Sequence, residues 1–166
     1  MTNNSFSWLS PLGISVLLFL ISGVLHFLIG ALTPFAIESE FGRKILMISN
    51  HTDTALFGTE PSQLLQKNPE LAKLRVLLSG VMGGWLVVLG IFIMSVTWFG
   101  LRQHQMWSLI TLGTTGLIIL PFWYITFRPY LQAGVTFGFS DIPPILWIPA
   151  LTLIPAVVLG WIGLSQ

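Results

Sequence analysis

Four long stretches of this chain contain no Asp, Glu, Lys or Arg: residues 12–35, 76–99, 106–127 and 145–164. Each is long enough for a helix to cross a hydrocarbon core, which needs about 20 apolar residues. In 76–99, thirteen residues are Val, Leu, Ile or Phe. At roughly −0.3 to −0.6 kcal/mol each, they favour insertion by about 4–8 kcal/mol, and no charge opposes them. Lipid cannot bond to a bare backbone, so such a stretch must satisfy its own N–H and C=O groups as a helix. The ten-residue alternation of a membrane barrel is absent. The expected fold is therefore an all-α membrane protein. It is a four-transmembrane-helix bundle forming one domain, with a long connection over 37–73 between helices 1 and 2.

Composition agrees and removes several functions. Only thirteen of 166 residues are Asp, Glu, Lys or Arg, too few to cover a soluble surface. The net charge of +1 comes without a basic run, so no nucleic-acid partner is expected. Membrane lipid is the expected neighbour. Cysteine is absent, which excludes disulfides, thiolate metal sites and CxxC disulfide shuttles. The first apolar stretch is long for a signal segment and lacks a clear small-residue cleavage site, so it reads as a retained helix.

The aromatic residues set the depth. With four spans, Trp8, Trp98, Trp107 and Trp161 fall at one face, and Trp123, Tyr124, Tyr130 and Trp147 at the other. Two such belts are what amphipathic rings form at the two interfaces. Trp85 falls well inside the second span and is expected to pack on a neighbouring helix. Arg43, Lys44, Lys67, Lys73, Arg75 and Arg128 share one face, whereas the other has only Arg102. The positive-inside rule then places connections 37–73 and 128–144 in the cytoplasm, with both termini outside the plasma (inner) membrane. Asn50-His51-Thr52 forms a glycosylation triplet, meaningful only on the outer side, which this orientation argues against.

Within the long connection, Thr59 is expected to cap a helix starting at Pro61. Asn68 is expected to cap one starting at Pro69 and running into the second span, with Glu70 at its positive end. Phe41–Ser49 reads as a short amphipathic segment along the interface, or an ordinary loop helix packed on the protein. Gly80 and Gly84, four residues apart like Ser79 and Gly83, allow close helix approach, to another span or to a second copy of the chain. Pro121, Pro149 and Pro155 predict kinks in the third and fourth spans, freeing the carbonyls of Leu117 and Leu151.

His26 is the one ionisable residue near a bilayer centre. Ser15, Ser22, His26, Gly30 and Thr33 lie on one helical face, and the third span offers Ser108, Thr111 and Thr115. His26, Ser22, Ser108, Thr111 and Thr115 are the candidate ligand-binding residues. Hydrogen bonding between helices is the plainer reading of the same stripe. A haem held by two histidines would need a second intramembrane His, so no cofactor is expected. His51 and Asp53, with Glu38 and Glu40 upstream, are metal-compatible groups without a fixed third ligand, and no metal site is expected. Arg128 and Asp141 bracket the last connection and could pair across it. No catalytic triad, carboxylate pair or phosphate-binding glycine loop is readable.

One stretch carries a resemblance. Phe57-Gly58-Thr59-Glu60-Pro61-Ser62-Gln63-Leu64 leads to Asn68-Pro69-Glu70-Leu71-Ala72, followed by the glycine-rich span, Gly100-Leu101-Arg102 and Met106-Trp107. This resembles small, uncharacterised four-span membrane proteins of bacteria, broadly DoxX-like in layout. In these, a Pro-x-Leu helix start precedes span 2 and a Leu-Arg-x-Gly-x-x-Trp turn joins spans 2 and 3. Gln103–Gln105 lack that turn glycine. The likeness covers residues 57–110 and implies four helices; it supplies no activity and no site residues.

Two functional expectations follow. The first is a non-enzymatic accessory or hydrophobic-ligand-binding bundle, able to self-associate through Gly80 and Gly84. The second is a membrane enzyme or redox subunit acting on a quinone, sterol-like or lipid substrate, with His26 at its centre.

Overall fold

The computed structural model describes residues 6–142 and 144–165, and among them every regular element is helical. Helix α1 spans Pro11–Glu38. It starts sharply because Pro11 opens the first turn while the Ser10 hydroxyl accepts the Gly13 N–H at 3.1 Å. That arrangement satisfies one of the amides a helix start leaves free. At 1.5 Å per residue, its 28 residues reach about 42 Å, more than the hydrocarbon core requires.

Two short helices follow, α2 (Asn50–Phe57) and α3 (Pro61–Lys67). Helix α4 spans Pro69–Phe99, so the helix starting at Pro69 does run unbroken into the second apolar stretch. Helices α5 (Met106–Ile118) and α6 (Leu120–Gln132) divide at Ile119. Pro121, in the first turn of α6, lacks the N–H that would continue α5, which accounts for the predicted break. Helix α7 spans Pro144–Leu164 and stays helical across Pro149 and Pro155.

Three helical stretches are long and apolar enough to cross a membrane: Pro11–Glu38, Pro69–Gln103 and Met106–Gln132. Their outer surfaces are apolar. Leu32, Leu77, Val81, Trp85 and Ile125 are all exposed large hydrophobics, an arrangement suited to lipid rather than water. Trp85 is 71% exposed. It does not pack on a neighbouring helix as expected, because the face of α4 turned toward α1 carries the glycines instead.

Helix α1 lies between α4 and α7, and α5 reaches both α4 and α7. The core holds Leu12 and Val16 of α1, Ile93 and Val96 of α4, Leu109 of α5 and Ala156 of α7. The α1–α4 crossing rests on two glycine pairs. A Cβ on Gly30 would lie 2.5 Å from the Gly83 carbonyl oxygen, and one on Gly90 would lie 2.6 Å from that of Gly23. Gly83 therefore belongs to the α1 interface. Gly80 and Gly84 face open space, with nothing within 4 Å of a Cβ there. The Ser15 hydroxyl donates to the Ala156 carbonyl at 2.6 Å, tying α1 to α7 in the buried interior.

The connection differs from expectation in three places. Residues Gly42–Lys44 form one 3-10 turn and Ile45 is extended, so Phe41–Ser49 is not a single amphipathic helix. Helix α3 begins after Glu60, without a side-chain cap from Thr59. Asn68 stands at the N-cap position of α4, but its amide donates backward to the Leu64 carbonyl at 3.0 Å. It closes α3 rather than opening α4.

Candidate functional site

The richest chemistry lies at the end of the bundle where α1 stops and α4 begins. A carboxylate at its centre is fully buried: Asp53, on α2, is 0% exposed. It sits there because Ser49 caps α2, its hydroxyl accepting the Thr52 N–H at 3.2 Å. The chain before α2 then folds back over the helix. Asp53 Oδ2 accepts the amides of Leu46 at 2.7 Å and Met47 at 2.9 Å. Its Oδ1 accepts the Tyr130 hydroxyl of α6 at 2.7 Å, with the Ile48 amide longer at 3.4 Å. A buried carboxylate supplied with several donors is the arrangement that makes such burial tolerable.

Arg75 is the matching cation on α4 and is 8% exposed. Its guanidinium clamps the turn after α1 by donating to the carbonyls of Ile37 at 3.3 Å, Ile45 at 2.6 Å and Gly42. Its Nε is buried with no hydrogen-bond partner among the described residues. Asp53 and Arg75 thus hold the same loop from opposite sides, one through its amides and the other through its carbonyls.

A second junction ties the last connection to α2. Asp141 Oδ2 accepts the Gly138 amide at 2.8 Å and faces His51 Nδ1 at 3.3 Å, while Oδ1 accepts the Ser49 hydroxyl at 2.9 Å. The Gly138 N–H chiefly holds the Asp141 carboxyl below the usual carboxylate range. Partial burial opposes that effect, and Ser49 and His51 add to it. The expected Arg128–Asp141 pair is not formed, because Asp141 is already engaged with Ser49, His51 and Gly138. Tyr130 is corrected as well. It is buried against Ile48, Val135 and Phe137 rather than placed in an interfacial belt.

Beside Arg75 lies a cavity of about 640 Å³. Arg43, Lys73, Arg75 and Glu38 supply its charged lining; Ile37, Leu65, Val76 and Leu77 supply apolar walls. At the opposite end of the bundle, Arg102 lies over the Trp98 ring at 4.2 Å and the Phe6 ring at 5.5 Å.

The residues singled out from sequence lie elsewhere and bond within their own helices. His26 Nδ1 is 2.7 Å from the Ser22 carbonyl. The Thr111 hydroxyl donates to the Trp107 carbonyl at 2.8 Å, and the Ser108 hydroxyl donates to the Gln105 carbonyl. Among the described residues, no hydrogen bond joins Ser22 or His26 to Ser108, Thr111 or Thr115. His51 and Asp53 turn to different partners, and no group of three or more His, Asp or Glu is placed to hold a metal among the described residues. The Asp53–Tyr130 pair escaped the sequence reading because 77 residues separate the partners. Arg75, immediately before a long apolar run, is visible in the sequence as one of the cations that orient the chain, but its carbonyl partners are not.

Compared with protein-family models, curated proteins and solved structures, the chain matches none.

Proposed function

We propose that the chain is a four-span bundle of the bacterial inner membrane, with α7 as the fourth span, that binds a hydrophobic ligand and acts as a non-enzymatic accessory protein. The cavity beside Arg75 carries this reading, because apolar walls and a few convergent polar groups are the usual make-up of a small-molecule site. The buried Asp53 supports it: each of its oxygens is engaged in holding a loop rather than aimed at a substrate. The DoxX-like layout belongs to the same reading, as does self-association through the outward Gly80–Gly84 face of α4.

The test is native mass spectrometry of the detergent-purified chain. A hydrophobic molecule should co-purify in stoichiometric amount, and a chain that retains none in any mild detergent would defeat the reading. Topology is checked separately, and the lack of cysteine makes this simple. In intact cells, Ser165→Cys and His104→Cys should react with a membrane-impermeant maleimide and Glu40→Cys should not. Labelling of Ser165→Cys and His104→Cys on opposite sides would remove α7 as a fourth span.

A second reading rests on His26. Its Nδ1–H is committed to the Ser22 carbonyl, so Nε2 carries the lone pair and can accept a proton. That suits a membrane enzyme or redox subunit working on a quinone, sterol-like or lipid substrate. His26→Ala should abolish any such activity. If cells show the same quinone and lipid composition with the variant as with the wild type, this second reading is lost.

A further inference from the structure

The geometry points to the cavity beside Arg75 as the seat of one anionic phospholipid, its phosphate held by Arg75, Arg43 and Lys73 and its acyl chains leaving past Leu77. This deepens the ligand-binding reading above and rests on it.

Three observations converge. First, the Arg75 guanidinium is fixed by three backbone carbonyls, none of which cancels its charge. Among the described residues it makes no ion pair; the Asp53 carboxylate acts on it through space, but its oxygens are taken by the Leu46 and Met47 amides and the Tyr130 hydroxyl. The guanidinium keeps its charge beside the cavity, and a phosphate is an anion suited to that charge. Second, Arg43 and Lys73 line the same cavity. Among the described residues, Lys73 is engaged only by Glu70 at 3.1 Å, in a pair whose side chains are 71% and 84% exposed. Such a pair is weak enough to exchange for a phosphate. Glu38 also lines the cavity, outnumbered by the three cations, and its carboxylate suits the hydroxyls of a glycerol headgroup.

Third, charged and apolar lining stand side by side: Leu77 lies one helical turn beyond Lys73 on α4 and is 68% exposed on the apolar flank of that helix. A free phosphate would use only the charged groups. A phospholipid uses both, and a volume of about 640 Å³ takes a glycerophosphate with the start of its chains.

Native mass spectrometry of the full chain in detergent tests this with three probes: dioleoyl phosphatidylglycerol, dioleoyl phosphatidylcholine and inorganic phosphate. The variant is Arg43→Gln/Lys73→Gln. It leaves Arg75 and its three carbonyl bonds in place, and a thermal melt confirms that it folds. Phosphatidylglycerol should bind the wild type at least about tenfold more tightly than phosphatidylcholine, and the double variant should lose that preference. Millimolar inorganic phosphate should leave the bound lipid in place. Equal binding of the two lipids, or a preference that survives the double substitution, overturns the anionic-lipid assignment alone. Displacement by inorganic phosphate overturns it in favour of a free anion. Binding of neither lipid overturns the ligand-binding reading as well.

Discussion

The α1–α4 crossing and the loop layer at the end of the bundle are held by opposite means. The crossing uses the absence of side chains: Gly23 against Gly90 and Gly30 against Gly83, backbone to backbone. The loop layer uses directed charge: Asp53 collects amides and the Tyr130 hydroxyl, and Arg75 collects carbonyls. Each solution fits its surroundings. Where lipid is the solvent, apolar burial gives little net drive, so helices gain by approaching closely. Where loops leave backbone groups without helical partners, those groups need specific acceptors and donors.

The sharpest way to break the comparison is to remove one charge from the loop layer. Asp53→Ala leaves the Tyr130 hydroxyl and the Leu46 and Met47 amides without an acceptor, and removes a negative charge that acts on Arg75. The expected cost is about 3–5 kcal/mol, seen as loss of folded yield or a large fall in melting temperature in detergent. Next comes the crossing. Gly30→Val puts new atoms against the backbone of Gly83 and Val87, which cannot step aside as a side chain would. A loss of about 3 kcal/mol is expected in the same melt. Gly80→Ala, with nothing within 4 Å, should stay within about 0.5 kcal/mol of wild type in the monomer.

Tyr130→Phe separates packing from charge inside the loop layer. The ring stays against Phe137 while the hydroxyl bond to Asp53 is lost, at a cost of about 2 kcal/mol. A further, smaller effect than that of Tyr130→Phe is the response to acid. The folded protein holds the Asp141 carboxyl below its ordinary value, so its contribution is fully present above the unfolded value. It fades as pH falls through the lower folded one. Melts across acidic pH should show a downward step that Asp141→Asn removes. A step of unchanged size in that variant assigns it to another carboxylate.

The helices were legible and the loop layer was not, for a physical reason. An uncharged stretch such as 76–99 has one stable answer in lipid, set by its own residues. The partners of Asp53 are set by how distant segments meet: Tyr130 is 77 positions away, and no spacing rule reaches that far. Trp85 shows the intermediate case. Its depth followed from the sequence, but its direction depended on which glycines α1 would choose. Asn68 shows another, since a capping residue between two helices can serve either, and it served α3. The candidate cavity was only half visible, because Arg75 and Lys73 stood out as charges beside the second span, while Glu38 at the end of α1 and Arg43 in the 3-10 turn join them only in the folded chain.

The two glycine pairs stand seven residues apart on each helix, Gly23 to Gly30 and Gly83 to Gly90. A screw of α1 by one residue would present Ser22 and Ile29, or Val24 and Ala31, to the α4 backbone in their place. Gliding and turning are thereby blocked together, as a key is blocked by two wards at once. The break at Ile119, where the α5–α6 rod is already cut, lies outside that locked crossing.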